Sequence, residues 1–126
     1  MSHRPIFVVD DDHGVRRSIQ RLLRVHGFEV RTFDSVEAFR ALPNPEEGLC
    51  VVLDIELKGS SGIELSRRLA ASGSLLPVIF MTANYAEHVR KRAIDAGCIA
   101  YLKKPFSSQS LLRAIHKAVA VRRERS

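Results

Sequence analysis

Four short stretches of this 126-residue chain carry side chains able to do chemistry together: Asp10-Asp11-Asp12, Asp54, Thr82 and Lys104-Pro105. Each follows an apolar run. Ile6-Phe7-Val8-Val9 leads into Asp10, Leu49-Cys50-Val51-Val52-Leu53 into Asp54, residues 77–81 into Thr82, and residues 99–102 end shortly before Lys104. If these ends converge, several carboxylates lie at close range, and they raise one another's pKa unless a cation joins them. Clustered oxygen ligands suit a hard divalent ion, and Mg²⁺ typically takes one or two carboxylates, waters and a phosphate oxygen. A lysine and a hydroxyl beside the same pocket supply the remaining contacts that a phosphoryl group needs. The chemistry indicated is phosphoryl transfer to a carboxylate with Mg²⁺ present. A purely structural role fits Asp54 poorly, because an unpaired acid after five apolar residues is costly.

The elements that must position these residues alternate along the chain. The runs ending at Asp10, Asp54 and Thr82 are continuously apolar, as strands buried on both faces are. Residues 29–33 alternate as an edge strand does, and residues 99–102 form the last strand. Between them lie helical stripes: Val15, Ile19, Leu22 and Leu23, closed by Gly27; Ser35 through Ala38 to Leu42, stopped by Pro43 and Pro45; Ile63, Leu65, Leu69 and Ala70 after a loop marked by Gly59 and Gly62; and Val89, Ala93 and Ile94, closed by Gly97. Ser107 opens a final amphipathic helix with Leu111, Leu112, Ile115 and Val119 on its buried face. Five strands and five helices in strict alternation predict a doubly wound α/β parallel sheet with helices on both faces. Ligands of such sheets bind outside the carboxyl ends of the strands. Asp12 reads better as a helix N-cap or early-turn acid than as a ligand.

Composition narrows the function class. Hydrophobic residues make up 45% of the chain, enough for a real core. No apolar run is long enough to cross a bilayer and no leader pattern opens the sequence, which predicts a soluble, cytoplasmic protein with no membrane partner. Cys50 and Cys98 form no C-x-x-C pair and read as reduced core thiols. The five histidines lack ligand spacing. The net charge of +6 comes mostly from arginines in small groups (Arg16-Arg17 with Arg21 and Arg24, Arg67-Arg68, Arg90 with Arg92, Arg122-Arg123), each on a different predicted helix. Scattered solvated faces are the better reading, since a nucleic-acid stripe requires these helices to share one surface. Residues 121–126 have linker-like polarity.

Val8-Val9-Asp10-Asp11-Asp12, the strand end Val52-Leu53-Asp54, Thr82-Ala83 and Lys104-Pro105-Phe106 together resemble the CheY-like receiver domain of two-component response regulators. The resemblance covers essentially the whole chain, residues 1–126, as one receiver domain. The segments Gly14-Val15-Arg16-Arg17-Ser18, Gly27-Phe28-Glu29-Val30 and Ser35-Val36-Glu37-Ala38-Phe39 are most similar to the FixJ-type branch. It implies a flavodoxin-like five-stranded sheet in the order 2-1-3-4-5. It also implies signal transduction through a phosphorelay: Asp54 accepts a phosphoryl group from a histidine kinase or phosphotransfer protein, making the chain a phosphoprotein. Asp11 then ligates Mg²⁺ (or Mn²⁺) directly, Asp10 holds a metal-bound water, and Asp54 with the backbone carbonyl of Glu56 completes the protein's share. Lys104, Thr82 and Ala83 contact the phosphoryl group, and Lys104-Pro105 is cis. Thr82 and Tyr101 form the switch, Tyr101 turning inward as Thr82 vacates space, with an ordinary edge aromatic as the alternative for Tyr101.

The resemblance implies a phosphoacceptor that assists its own phosphoryl transfer and dephosphorylation, not an enzyme. An Asp-nucleophile phosphatase is the competing class. It needs a second acid two residues on, which Glu56 could supply, but its following motif is absent. Phosphorylation is expected to switch an output face and a homodimer through the last two helices and strand. DNA is expected only through an output domain beyond these residues, as in a transcriptional regulator. The sequence departs from the family pattern at Lys58, where a proline is usual, and carries Glu56, Asn84 and Glu87 near the mouth of the site.

Overall fold

In the computed structural model, which describes residues 4–57 and 60–125 (backbone alone at Ser60), the continuous apolar runs form the middle of a parallel sheet. Strands β1 (Ile6–Val9), β3 (Cys50–Asp54) and β6 (Val78–Thr82) are buried along their whole length, which explains why both of their faces are apolar. The outer strands β2 (Val30–Phe33) and β7 (Ala100–Lys103) have one neighbour each and carry Arg31 and Lys103 outward. The order is β2-β1-β3-β6-β7, every adjacent pair parallel. Numbered within this sheet alone, that is 2-1-3-4-5. A two-stranded antiparallel hairpin, β4 (Glu56–Leu57) and β5 (Ser60–Ser61), stands where the sequence suggested a loop; Lys58 and Gly59 lie outside the described residues.

Side chains alternate across the central strands, and each face collects its own helices. Phe7, Val9, Val51, Leu53, Val78 and Phe80 point to α2 (Val36–Arg40), α3 (Gly62–Ala71) and α4 (Glu87–Asp95). Ile6, Val8, Cys50, Val52, Ile79 and Met81 point to α1 (His13–Val25) and α5 (Ser108–Arg125). Helix starts are fixed by side-chain oxygens: Asp12 accepts from the Val15 N–H at 3.1 Å, Ser35 from Ala38 at 3.0 Å, and Ser107 from Ser110 at 3.1 Å. Asp12 is therefore a cap, as read from sequence. Gly27 and Gly97 follow α1 and α4 with φ of 87° and 85°, a left-handed conformation that favours glycine.

Several elements differ from the sequence reading. α2 stops at Arg40, and Leu42 turns back to the Phe39 carbonyl (3.1 Å) because the residue before Pro43 is pushed out of helical geometry. Ile94 is 49% exposed: only Val89 and Ala93, four apart, face the sheet from α4. Ala70 is likewise exposed. In α5 the innermost positions are Leu111, Ala114, Ile115 and Ala118, while Leu112 and Val119 are half-buried. The polar tail is helical through Arg125, and Arg122 is buried, donating to the Glu46 carbonyl at 2.8 Å. No helix among the described residues is long and apolar enough to cross a membrane.

Candidate functional site

The parallel register carries the polar strand ends to one edge. Asp10 follows β1 with its N–H bonded to the Phe33 carbonyl at 3.1 Å. Asp54 ends β3 opposite Met81, Thr82 ends β6 opposite Lys103, and the Lys104 N–H reaches the Thr82 carbonyl at 2.8 Å. The Lys104–Pro105 peptide is cis. Four segments separated by up to 94 residues thereby meet, and the Lys104 ammonium ties Asp10 and Asp54 to the last strand. Lys104 Nζ lies 2.6 Å from Asp10 Oδ2 and 2.9 Å from Asp54 Oδ2. The other oxygens of these carboxylates accept backbone N–H groups, Asp10 Oδ1 from Asp12 at 2.8 Å and Asp54 Oδ1 from Glu56 at 2.9 Å.

Charge at this edge is unbalanced. Asp10, Asp11 and Asp54 each offer a carboxylate oxygen, all within 4.8 Å of one another, against one lysine. Asp10 is fully buried and Asp54 is 5% exposed. Burial pushes the Asp54 carboxyl above the ordinary carboxylate range; the Lys104 bond and the Glu56 N–H oppose the rise, and the Asp10 charge adds to it. Burial works against the Lys104 ammonium, but its bonds to Asp10 and Asp54 outweigh that and leave it above its usual value. A pocket with surplus negative charge and oxygen-only donors fits a hard divalent cation.

Across the pocket from Lys104, the Thr82 hydroxyl donates to Glu56 Oε1. The same oxygen accepts the Asn84 N–H at 3.3 Å, and the Asn84 N–H also lies 2.9 Å from Thr82 Oγ1. The Asn84 carbonyl sits 3.1 Å from Thr82 Oγ1 and 3.4 Å from the Tyr101 hydroxyl, so one backbone group touches both residues. Tyr101 is half-buried, its ring 5.4 Å from that of Tyr85. Ala83 is exposed just past the end of β6.

Three features of the site were not read from the sequence. The Glu56 side chain spans from one loop to the next, whereas sequence reasoning used chiefly its carbonyl. Arg16 donates to the Asp10 carbonyl at 2.7 Å and steadies the first acid from α1. Gly62 opens α3 directly against the Asp54 carbonyl oxygen, with which a Cβ would collide. The glycine at 62 was the one visible signal, since a helix start pressed on a strand end demands a missing side chain.

Residues 6–116 match the family described as the response regulator receiver domain. Among curated proteins, the chain is 37% identical over 119 residues to the transcriptional regulatory protein TdiR of Thauera aromatica, covering 94% of this chain and 52% of that one. It is 38% identical over 115 residues to the transcriptional regulatory protein FixJ of Bradyrhizobium diazoefficiens, covering 90% and 56%. The solved structure of the response regulator StyR superimposes with a TM-score of 0.88 at 42% identity, covering 98% of this chain and 62% of that one. The chain thus spans about half the length of the curated relatives it matches. The strand order, the acids at the carboxyl edge and the match over residues 6–116 agree: this chain belongs to the response regulator receiver domain family.

Proposed function

We propose that this chain is the phosphoacceptor domain of a cytoplasmic two-component regulator of transcription, and that Asp54 takes the phosphoryl group from a histidine kinase or phosphotransfer protein. The observation that carries the reading is the Lys104 ammonium held 2.6 Å from Asp10 and 2.9 Å from Asp54 at the carboxyl edge. A carboxylate oxygen of Asp54 attacks phosphorus, the P–N bond of the phosphohistidine breaks, and its electron pair stays on the imidazole, which takes up a proton. The product is an acyl phosphate on Asp54. Asp10, Asp11 and Asp54, with the Glu56 carbonyl, would hold Mg²⁺ or Mn²⁺. Such an ion would supply positive charge to offset that of the phosphoryl group and the carboxylates.

Lys104 releases part of its hold on Asp54 and pairs with phosphoryl oxygens. Thr82 and the backbone next to Ala83 turn to another of these oxygens. In the structure Glu56 holds the Thr82 hydroxyl and the Asn84 N–H, so Glu56 must withdraw before Thr82 can turn. The movement reaches Tyr101 through the Asn84 carbonyl, which both hydroxyls approach. The face built by α4, β7 and α5 then changes its affinity for a second copy or an output domain. The same cycle gives the domain a part in its own dephosphorylation.

Acetyl phosphate with Mg²⁺ tests the reading. One phosphoryl group per chain is expected by intact mass, lost with EDTA and lost in Asp54→Asn. Sustained turnover of a small phosphoester would instead identify a phosphatase and overturn it.

A further inference from the structure

The two sides of the sheet differ sharply in charge. α1 and α5, which share one face, hold nine of the chain's 20 cationic residues and one of its 14 acids. Everything else carries 11 cations against 13 acids. The arginine groups that looked scattered in sequence are therefore concentrated, because the topology lays the first and last helices side by side on the same layer. Three of the nine are engaged with backbone carbonyls: Arg16 bonds that of Asp10, the buried Arg122 that of Glu46 and the exposed Arg125 that of Leu75. The other six, Arg17, Arg21, Arg24, Arg113, Lys117 and Arg123, are exposed and enter no ion pair among the described residues. Arg17, Arg21 and Arg24 recur at i, i+4 and i+7, opposite the buried Ile19 and Leu23, and so form one outward stripe.

We propose that this α1/α5 face binds the phosphate backbone of duplex DNA without reading its sequence. The choice of DNA rests on the proposed role in a regulator of transcription; the surface itself stands on charge and placement. Protein interfaces are enriched in aromatic residues and Met as well as Arg, so arginines there are accompanied by large apolar anchors. Here the exposed side chains of α1 and α5 include no aromatic apart from His13 and His116, and a single large apolar one, Val25. Solvated guanidinium groups match phosphate oxygens in bidentate geometry. Such contacts carry no base specificity, so they would add affinity and orientation to whatever an output domain reads.

The test is fluorescence anisotropy of the chain with a labelled duplex of arbitrary sequence, across a salt series. Expected is weak binding, with a Kd of roughly 10⁻⁴ to 10⁻⁶ M near physiological salt and an affinity that falls steeply as salt rises. The triple variant Arg17→Gln, Arg21→Gln, Arg24→Gln should flatten the log–log salt slope by about 3, at about 0.9 per phosphate contact. Arg67→Gln with Arg68→Gln, on the opposite layer, should leave it unchanged. Labelling of Asp54 by acetyl phosphate should be the same in all three proteins, which separates this proposal from the phosphoacceptor reading. No binding even at low salt, or equal loss in the α3 variant, would overturn it. So would a triple variant that binds DNA normally but loses phosphoryl transfer from a kinase, since the stripe would then be a protein-docking surface.

Discussion

Two charged clusters sit at opposite ends of the same central strands. At the carboxyl edge, Asp10, Asp11, Asp54 and Lys104 meet side chain to side chain, three acids to one ammonium. At the amino edge, Arg4 and Arg122 both donate to the Glu46 carbonyl at 2.9 and 2.8 Å, and the Glu46 carboxylate accepts the Leu75 N–H at 3.0 Å. The second cluster spends its charged groups on backbone partners. It joins the segment before β1, the turn before β3, the loop before β6 and the end of α5, and an Arg122 nitrogen also lies 3.9 Å from the Glu46 carboxylate. The first is left with three acids to one ammonium, a surplus that a bound cation would offset. Both are partly buried ionic networks; one fastens chain segments with its cations on backbone carbonyls and one opposite charge, while the other packs like-charged carboxylates around a single ammonium.

The largest effect that would sharpen this contrast is expected from Lys104→Ala measured in EDTA. It leaves Asp10 and Asp54 facing each other without a cation, and the loss is about 2 to 4 kcal/mol, somewhat below the range for fully buried pairs. Saturating Mg²⁺ should return a large part of that loss in urea unfolding. In the unsubstituted chain, Mg²⁺ at about 100 times its Kd should raise stability by about 2.7 kcal/mol, and Asp11→Asn should abolish the gain. At the other end of the strands, Arg122→Ala should cost about 1 to 3 kcal/mol, the same with Mg²⁺ as without. An equal response of both edges to Mg²⁺ would erase the distinction. Smaller still, Glu56→Gln weakens the hold on Thr82 and should speed phosphoryl uptake from acetyl phosphate by about 2- to 10-fold in a stopped-flow or quench assay. The Cys50 thiol, pushed up to about 12 by burial, should stay unalkylated in the native protein at about pH 8.

The two edges were unequally legible in the sequence. Asp10, Asp54 and Thr82 announce themselves because each interrupts an apolar run that is buried on both faces, and a polar residue there must have a task. Arg122 gave no such signal. It sits in a tail of charged residues, and its partner Glu46 lies 76 residues away, a contact that no local pattern encodes. The Glu56–Thr82 bond was missed for a related reason: periodicity places a backbone, whereas the direction of a long acidic side chain depends on which donor faces it across the pocket. Ile94 shows the limit of helical stripes, because α4 is short and needs only Val89 and Ala93 to cover its share of the sheet. The shared face of α1 and α5 followed from strand order, not from either helix alone.

Chemical trapping of the phosphorylated chain tests the central claim most directly. After acetyl phosphate and Mg²⁺, borohydride reduces an aspartyl phosphate to homoserine, which peptide mass mapping locates. Homoserine at position 54, absent when Mg²⁺ is withheld, is the predicted result. Homoserine at position 10 or 11 with residue 54 unmodified, or a stable phosphate on a hydroxyl side chain, would contradict the account.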